Sequence, residues 1–300
     1  MSPIASERSH LGKRATDTVG LQERHTRPFL RWAGGKAWLA PELSRLLGPV
    51  EIGSYFEPFL GGGAVFFAYN WPTAWLGDLN GTLLAAYRGL AQDVEAITKR
   101  LSSLRISPGE YARIRLVQPR TDVGHAVRLI YLNRASYGGI YRTNRHGVYN
   151  VPYSGDRSIA RLLLGGTLRA AAEALTNATL THDDFAVTLS AAGTGSFIFC
   201  DPVYTLPEPE RSFRRYGTPT FSWHDQERLA EIVRELAKRG ALIAVCNSPD
   251  ARVARLYGAS QVLHFKRRQQ LPKAGQPSVE AVYLLGDWPS ALNRMRSDGR

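Results

Sequence analysis

The 300-residue sequence predicts an α/β protein built on a doubly wound, mainly parallel sheet, with a mostly helical insertion that carries a β-hairpin. Two observations predict it. Short apolar strands alternate with helical periodicity early in the chain and again after about residue 176, the pattern of parallel α/β sheets. Between these stretches, residues 88–175 lose the alternation and become rich in arginine.

The elements follow in order. Residues 1–26, polar and mixed in charge, read as a mobile tail without the apolar core of a signal peptide. "RPFLRWAGGKAWLAPELSRLL" reads as a turn broken by Gly34 and Gly35, then a helix. "SYFEPFLGGGAVFFAY" reads as a strand, a glycine loop and a helix, and "TAWLGDLN" as a second strand. "GTLLAAYRGL" is helical, and helices continue to about Leu132. "YRTNRHGVYNVPY" has the pattern of a hairpin turning near His146 and Gly147. Alternation resumes at "NATLTHDDF", followed by the strand "GSFIFCDPVY". "WHDQERLAEIVRELAKRG" is a helix that Gly240 stops, and "ALIAVCNS" is the next strand. "VLHFKRRQQL" and "VEAVYLLGDW" close the sheet as a strand pair. The division is then residues 27–87 with 176–300 as one domain, and 88–175 as another.

Composition narrows the function classes. The two cysteines, Cys200 and Cys246, sit in apolar runs, which argues against a disulfide scaffold. No Cys/His cluster has metal-ligand spacing, and no apolar run is long enough to span a membrane. The expected location is therefore cytoplasmic. The formal net charge is +12. Between Arg105 and Arg169 there are 11 arginines, no lysine and 3 acids, a balance of 11 − 3 = +8. Arginine forks suit phosphates and guanine edges, so this block points to a polyanion. An arginine-rich solvated surface is the bland reading of the same residues.

In a doubly wound sheet, ligands bind at the carboxyl ends of the strands. Four segments put distinctive residues there. "EPFLGGG" (57–63) lets backbone approach a ligand, although such a loop is equally a tight turn. "LGDLN" ends in Asp78, whose carboxylate suits a ribose diol or, alternatively, a helix cap. In "RWAGGK", Trp32 has a stacking ring and Lys36 a cation, at what is otherwise a helix start. In "CDPVY", Asp201 and the Pro202 carbonyl are two acceptors beside the ring of Tyr204. That set fits an exocyclic amino group on a flat base. By itself, Asp-Pro is a common turn.

Taken in this order, "FLRWAGGK" (29–36), "EPFLGGGAVF" (57–66), "LGDLN" (76–80), "YLNRASYGGIYRTNRHGVYNVPYS" (131–154), "HDDF" (182–185) and "CDPVY" (200–204) resemble the Dam family of DNA adenine-N6 methyltransferases, the D12 class or α-group. The resemblance runs from about residue 28 to 288. It implies a Rossmann-like methyltransferase sheet, S-adenosyl-L-methionine as donor and double-stranded DNA as substrate. It implies donor contacts from Trp32, Ala33, Gly34 and Lys36, and a donor loop from Glu57, Phe59, Gly61, Gly62 and Gly63. Asp78 would hold the ribose, Asp184 and Phe185 would flank the donor's adenine, and Asp201, Pro202 and Tyr204 would form the catalytic pocket, with Asp201 also facing the donor. The arginine-rich block becomes a target-recognition domain, with Arg134, Tyr137, Arg142, Asn144 and Arg145 at the DNA. Tyr137 aligns with a residue that enters the base stack, and Arg142 with one that reads a guanine, which implies a GATC-like site.

The expected reaction is methyl transfer to N6 of an adenine flipped out of the duplex, without metal. Such enzymes belong to bacterial or phage modification and restriction-modification systems. Nothing in the chain specifies a cognate restriction endonuclease. Two departures from the family pattern stand out. Gly138 replaces an asparagine, with Ala135 and Ser136 differing nearby, and Val203 replaces a second proline. Val203 keeps both acceptors and the ring, so the expectation is an active but slower enzyme. The alternatives are a catalytically silent, methyltransferase-like DNA-binding protein, or an enzyme acting on cytosine-N4, RNA or a glutamine amide.

Overall fold

The computed structural model describes residues 26–144, 147–155, 158–205, 221–267 and 278–288. Nearly all of the expected tail lies outside them, as do Arg145 and His146 at the expected hairpin turn. The first half holds α1 (Ala40–Leu47), β1 (Ser54–Glu57), β2 (Ala74–Gly77) and α2 (Gly81–Gln92). Five helices follow: α3 (Val94–Ser103), α4 (Pro108–Leu116), α5 (Asp122–Ala135), α6 (Ser158–Leu164) and α7 (Thr167–Ala174). Then come β3 (Ala178–Thr181), α8 (Phe185–Leu189), β4 (Ser196–Cys200), α9 (Trp223–Lys238) and β5 (Leu242–Asn247). The last elements are α10 (Ala251–Tyr257), β6 (Gln261–Arg267) and β7 (Ser278–Leu285).

The strands form one sheet in the order β3-β2-β1-β4-β5-β7-β6. All pairs are parallel except β5–β7 and β7–β6. The chain therefore winds outward in one direction through β2 and β3, and in the other through β4 and β5. The switch point lies between β1 and β4. Every residue of β4 and β5 is buried, which is why "SFIFC" and "LIAVCN" are apolar runs rather than alternating ones. Alternate β5 residues feed opposite faces: Leu242, Ala244 and Cys246 join one apolar cluster, Ile243 and Val245 the other. Both cysteines are buried and free.

Local chemistry sets the helix ends. Ser107 caps α4 ahead of Pro108, and Thr121 caps α5 through the Gly124 N–H. Ser222 and Asp225 form a reciprocal capping box on α9. Gly240, at φ +88°, ends that helix as the sequence predicts, with its N–H on Ala237 and the Ala241 N–H on Leu236. The short α10, not anticipated from the sequence, begins where Asp250 caps Arg252.

One expectation is corrected. The segment after the glycine loop is a single 3₁₀ turn, Phe66–Ala68, and not a helix. Phe66, Phe67, Tyr69 and Trp71 are all buried, which a one-sided helical stripe cannot achieve. Within the hairpin expected over residues 141–153, Thr143 and Tyr149 form an antiparallel bridge, and Tyr153 at its end bridges to Ser136. Asn150 N–H donates to Arg142 (3.0 Å) and Asn144 N–H to Val148 (2.9 Å).

The helical segment is tied to the sheet through α2 and α5. At Gly89 of α2, a Cβ would lie 2.2 Å from the Asp122 carbonyl oxygen at the start of α5. Backbone cannot yield there, so Gly89→Ala must push α5 away. Overpacking should outweigh the gain in helix propensity, leaving a net loss of about 2 kcal/mol, read as a lower urea midpoint with an unchanged slope.

Candidate active site

Four carboxylates gather at the carboxyl edge of the sheet. Glu57 ends β1, Asp78 follows β2, Asp184 follows β3 and Asp201 follows β4. They flank the β1/β4 switch point, where an open α/β sheet leaves a crevice for a ligand.

The glycine loop is built around Asp78. Its Oδ2 accepts the Gly61 N–H (2.9 Å) and its Oδ1 the Asn80 N–H (2.8 Å). Asn80, not Asp78, caps α2 by accepting the Leu83 N–H. Burial pushes the Asp78 carboxyl up, against the pull of the two N–H groups. Gly61 lies at φ +48°, and a Cβ on it would sit 2.8 Å from the Trp32 indole. Space beside the loop thus goes to Trp32, whose ring also stacks on Tyr141 at 5.3 Å and 21°. Glu57 is buried beside Tyr55, whose hydroxyl donates to its Oε2 (2.8 Å). Burial pushes the Glu57 carboxyl up to about 8, only partly offset by the Tyr55 hydrogen bond.

Farther out on the same side of the switch point, beyond β3, Asp184 caps α8 through the Ala186 N–H and pairs with Arg228 at 3.0 Å. The Arg228 guanidinium lies 4.9 Å from the centre of the Phe185 ring. Phe185 packs on Phe59 (5.7 Å), and Phe59 meets the edge of Phe221 (5.5 Å). The predicted pair Asp184–Phe185 is therefore part of an aromatic cluster with a cation beside it.

The third cluster joins distant segments. Lys36 is buried and makes a 2.8 Å ion pair with Asp201 Oδ2. It also donates to the Gly34 carbonyl (2.8 Å) and has Glu280 Oε2 at 3.6 Å. The Tyr204 hydroxyl lies 3.5 Å from Asp201 Oδ1 and 3.4 Å from Glu280 Oε2. Burial pushes the Asp201 carboxyl up to about 6, although Lys36 pulls it down. Burial opposes charge on Lys36, yet the fields of Asp201, Cys246 and Glu280 and the hydrogen bond to Asp201 together prevail, and its pKa is raised. Pro202 is buried, whereas Val203 is 63% exposed.

The residues expected at DNA divide. Tyr137 is 63% exposed, and Arg142 is exposed with its Nε on Asn150 Oδ1 (2.8 Å). Arg134 instead turns inward, donating to the carbonyls of Phe29 (2.6 Å) and Pro28. Asn144 Oδ1 closes the hairpin by accepting the Val148 N–H (3.0 Å). Arg145 lies outside the described residues. Ala33 and Gly34 place the Lys36 turn, with the Gly35 N–H on the Trp32 carbonyl.

Sequence reasoning missed three residues. Glu280 is the one acid inside the apolar strand "SVEAVYLL", a signal visible in the chain. Arg228 carries no such signal, because it is one of several charges on an amphipathic helix. Asn133, buried, pairs with both the N–H and the carbonyl of Arg31 at 2.8 Å and donates to Gly139.

Comparison with known proteins gives the family of the chain. The family of D12 class N6 adenine-specific DNA methyltransferases matches residues 32–271. The chain belongs to this family. It is similar to the type II methyltransferase M.MjaIII of Methanocaldococcus jannaschii, with 30% identity covering 86% of this chain and 97% of that one. It is 32% identical to the retron Ec67 DNA adenine methylase of Escherichia coli, over 86% of this chain and 90% of that one. The DNA adenine methylase of Escherichia coli K12 is 27% identical, over 87% of this chain and 95% of that one. As a D12-class methyltransferase, the protein is an adenine-specific DNA-modifying enzyme that uses a methyl donor. Among the described residues, no group of three His, Cys, Asp or Glu could hold a metal, and no helix is long and apolar enough to cross a membrane.

Glu57 has a measurable consequence. A carboxyl held at about 8 in the fold, against 4.5 ordinarily, binds its proton more tightly when folded. Its stabilising contribution is complete below the ordinary value and is lost as pH rises through the folded one. Urea unfolding should therefore lose roughly 3 kcal/mol between pH 5 and pH 8 through this group, and Glu57→Gln should flatten the profile by that amount.

Proposed function

We propose that this D12-class enzyme transfers a methyl group from S-adenosyl-L-methionine to N6 of an adenine flipped out of double-stranded DNA, at a GATC-like site. One observation carries the reading. Asp201 is held at the end of β4 by buried Lys36 through Oδ2, while among the described residues Oδ1 has only the distant Tyr204 hydroxyl. That oxygen retains acceptor capacity.

The residues at the sheet edge fit the donor. Asp78 takes one backbone N–H on each oxygen, and a carboxylate has about four acceptor sites, so it can also accept from a ribose diol. Phe59, Phe185 and Asp184 suit an adenine ring and its amino group. S-adenosyl-L-methionine, when bound, supplies an electrophilic methyl group on a sulfonium. Lys36 and the glycine loop would complete the holding of that donor.

The chain's own residues then direct the acceptor. A stacked base cannot reach the crevice, so the adenine must leave the duplex. Asp201 Oδ1 and the Pro202 carbonyl would accept the two N6 hydrogens and turn the nitrogen lone pair toward the methyl group. Tyr204 would cover the base. Its ring is 38% exposed and lies 5.6 Å from the Lys36 ammonium. The work is orientation and electrostatics, and the amine loses its proton only after it carries the methyl group. Residues 88–175 would act as the target-recognition domain, with Tyr137 entering the stack and Arg142 reading a guanine. The exposed Val203 removes no group from the pocket, which favours the active enzyme over a silent DNA-binding protein.

The test is methyl transfer from isotopically labelled S-adenosyl-L-methionine to duplexes with and without GATC, with the modified base identified by mass spectrometry of the digest. N6-methyladenine should form only in the GATC duplex. Asp201→Ala should slow transfer by about 10²–10³, the scale for a group aimed at transition-state charge. Below about pH 6, kcat/KM should fall tenfold per pH unit as Asp201 takes up a proton. Arg142→Ala should lose ~1–3 kcal/mol of discrimination at one base pair while still methylating DNA. Cytosine methylation, or full activity in Asp201→Ala, would overturn the reading.

A further inference from the structure

Glu280 belongs to the last strand of the sheet, and no motif includes it. Because β7 runs antiparallel to β5, with Asn247 opposite Ala281, the first residues of β7 lie at the carboxyl edge. Glu280 is thereby delivered beside the end of β4. There its Oε2 lies 3.6 Å from Lys36 Nζ and 3.4 Å from the Tyr204 hydroxyl.

The donors and acceptors of this cluster can be accounted for individually. An ammonium has three N–H groups. Those of Lys36 have the Gly34 carbonyl, Asp201 Oδ2 and, more distantly, Glu280 Oε2 as partners. The Tyr204 hydroxyl has one proton and two carboxylate oxygens at nearly equal distance, Asp201 Oδ1 at 3.5 Å and Glu280 Oε2 at 3.4 Å. Whichever oxygen takes that proton becomes a weaker acceptor for anything else. The proposed reaction needs Asp201 Oδ1 for the adenine amino group. It also needs the Tyr204 ring held at one angle.

We propose that Glu280 is a positioning residue for methyl transfer, taking the Tyr204 hydroxyl so that Asp201 Oδ1 stays open to the adenine amino group while the ring is held over the base. The proposal rests on the reading of Asp201 as the acceptor for N6. In this role Glu280 need touch neither the base nor the donor. It acts through Tyr204, and its negative charge is what draws the hydroxyl away from Asp201. A glutamine of the same shape lacks that charge and can donate to Asp201 or Tyr204 itself. A merely structural Glu280 would instead lower activity through lost fold or lost binding, and independently of the hydroxyl.

A double-mutant cycle separates these cases. Wild type, Glu280→Gln, Tyr204→Phe, the double variant and Asp201→Ala are compared as full-length proteins. Substrates are unmethylated genomic DNA and labelled S-adenosyl-L-methionine, with N6-methyladenine as the readout. Glu280→Gln should lower kcat by roughly tenfold, the scale of one misdirected hydrogen bond, with KM for DNA and for donor each within about twofold. Tyr204→Phe keeps the ring and removes the hydroxyl, so the double variant should be no slower than Tyr204→Phe alone. Thermal melting run in parallel should show Glu280→Gln folded. The proposal is overturned if the two losses multiply, if the loss lies in KM, or if it merely follows the melting temperature. An active Asp201→Ala would sink the underlying assignment of Asp201 instead, whatever the cycle shows. Should Glu280→Gln not fold, Glu280→Asp, which keeps the charge one methylene short, should retain kcat within about threefold. A Glu280→Asp as slow as Tyr204→Phe would reject the positioning role.

Discussion

The ion pair between buried Lys36 and partly buried Asp201 is the contact on which the candidate site depends. It joins residues 165 apart in the chain, and nothing in either local segment requires the other. Burying two opposite charges pays only when geometry and further hydrogen bonds complete their shells. Here the Gly34 carbonyl and Glu280 supply the remaining partners of the ammonium. Removing one member would leave an uncompensated charge in a desolvated place, at a cost of several kcal/mol. The pair thus holds the "AGGK" turn against the end of β4 and orients the carboxylate in the same act. Its pull does not overcome burial, so the Asp201 carboxyl titrates close to neutrality, at about 6.

The same N-terminal segment is stapled on its other side to the end of α5. Asn133 pairs with both backbone groups of Arg31, as a neighbouring strand would, and reaches Gly139 as well. Arg134 closes on Phe29. Trp32 then fills the space between the glycine loop and Tyr141. The segment that carries exposed Tyr137 and Arg142 is therefore tied, through buried polar contacts, to the segment that carries Lys36. Buried hydrogen-bond networks of this kind are costly to break because each member leaves another unsatisfied. On the proposed reading, such a link would keep a base presented by the hairpin in register with the Asp201 carboxylate.

Much of the fold was legible in the chain, because its signals are local. The buried strands β4 and β5 announce themselves as apolar runs, and Gly240 stops α9 through a backbone angle that favours glycine. The glycine loop was legible as a break, but the neighbour packed against it was not. Its missing side chains admit Trp32, a neighbour from another segment, and the aromatic residues beyond it bury on several sides instead of forming a helix. Arg134 shows the converse. Its place in a motif suggests DNA, whereas the fold uses its guanidinium on the chain's own carbonyls.

By itself, the sequence determined the family, the order of the strands and of most helices, and the residue types gathered at the carboxyl edge. These follow from periodicity and from motifs whose members lie a few residues apart. The tertiary structure decided which of those residues meet. The antiparallel insertion of β7 between β5 and β6 brings Glu280 to Tyr204, and the approach of the N-terminal turn to β4 gives Asp201 its cation. The physical reason is range. Helix caps and apolar runs act over one or two turns of chain. Ion pairs and shared hydrogen bonds act across a few ångströms of space, and only a completed sheet brings residues so far apart in the chain within that reach.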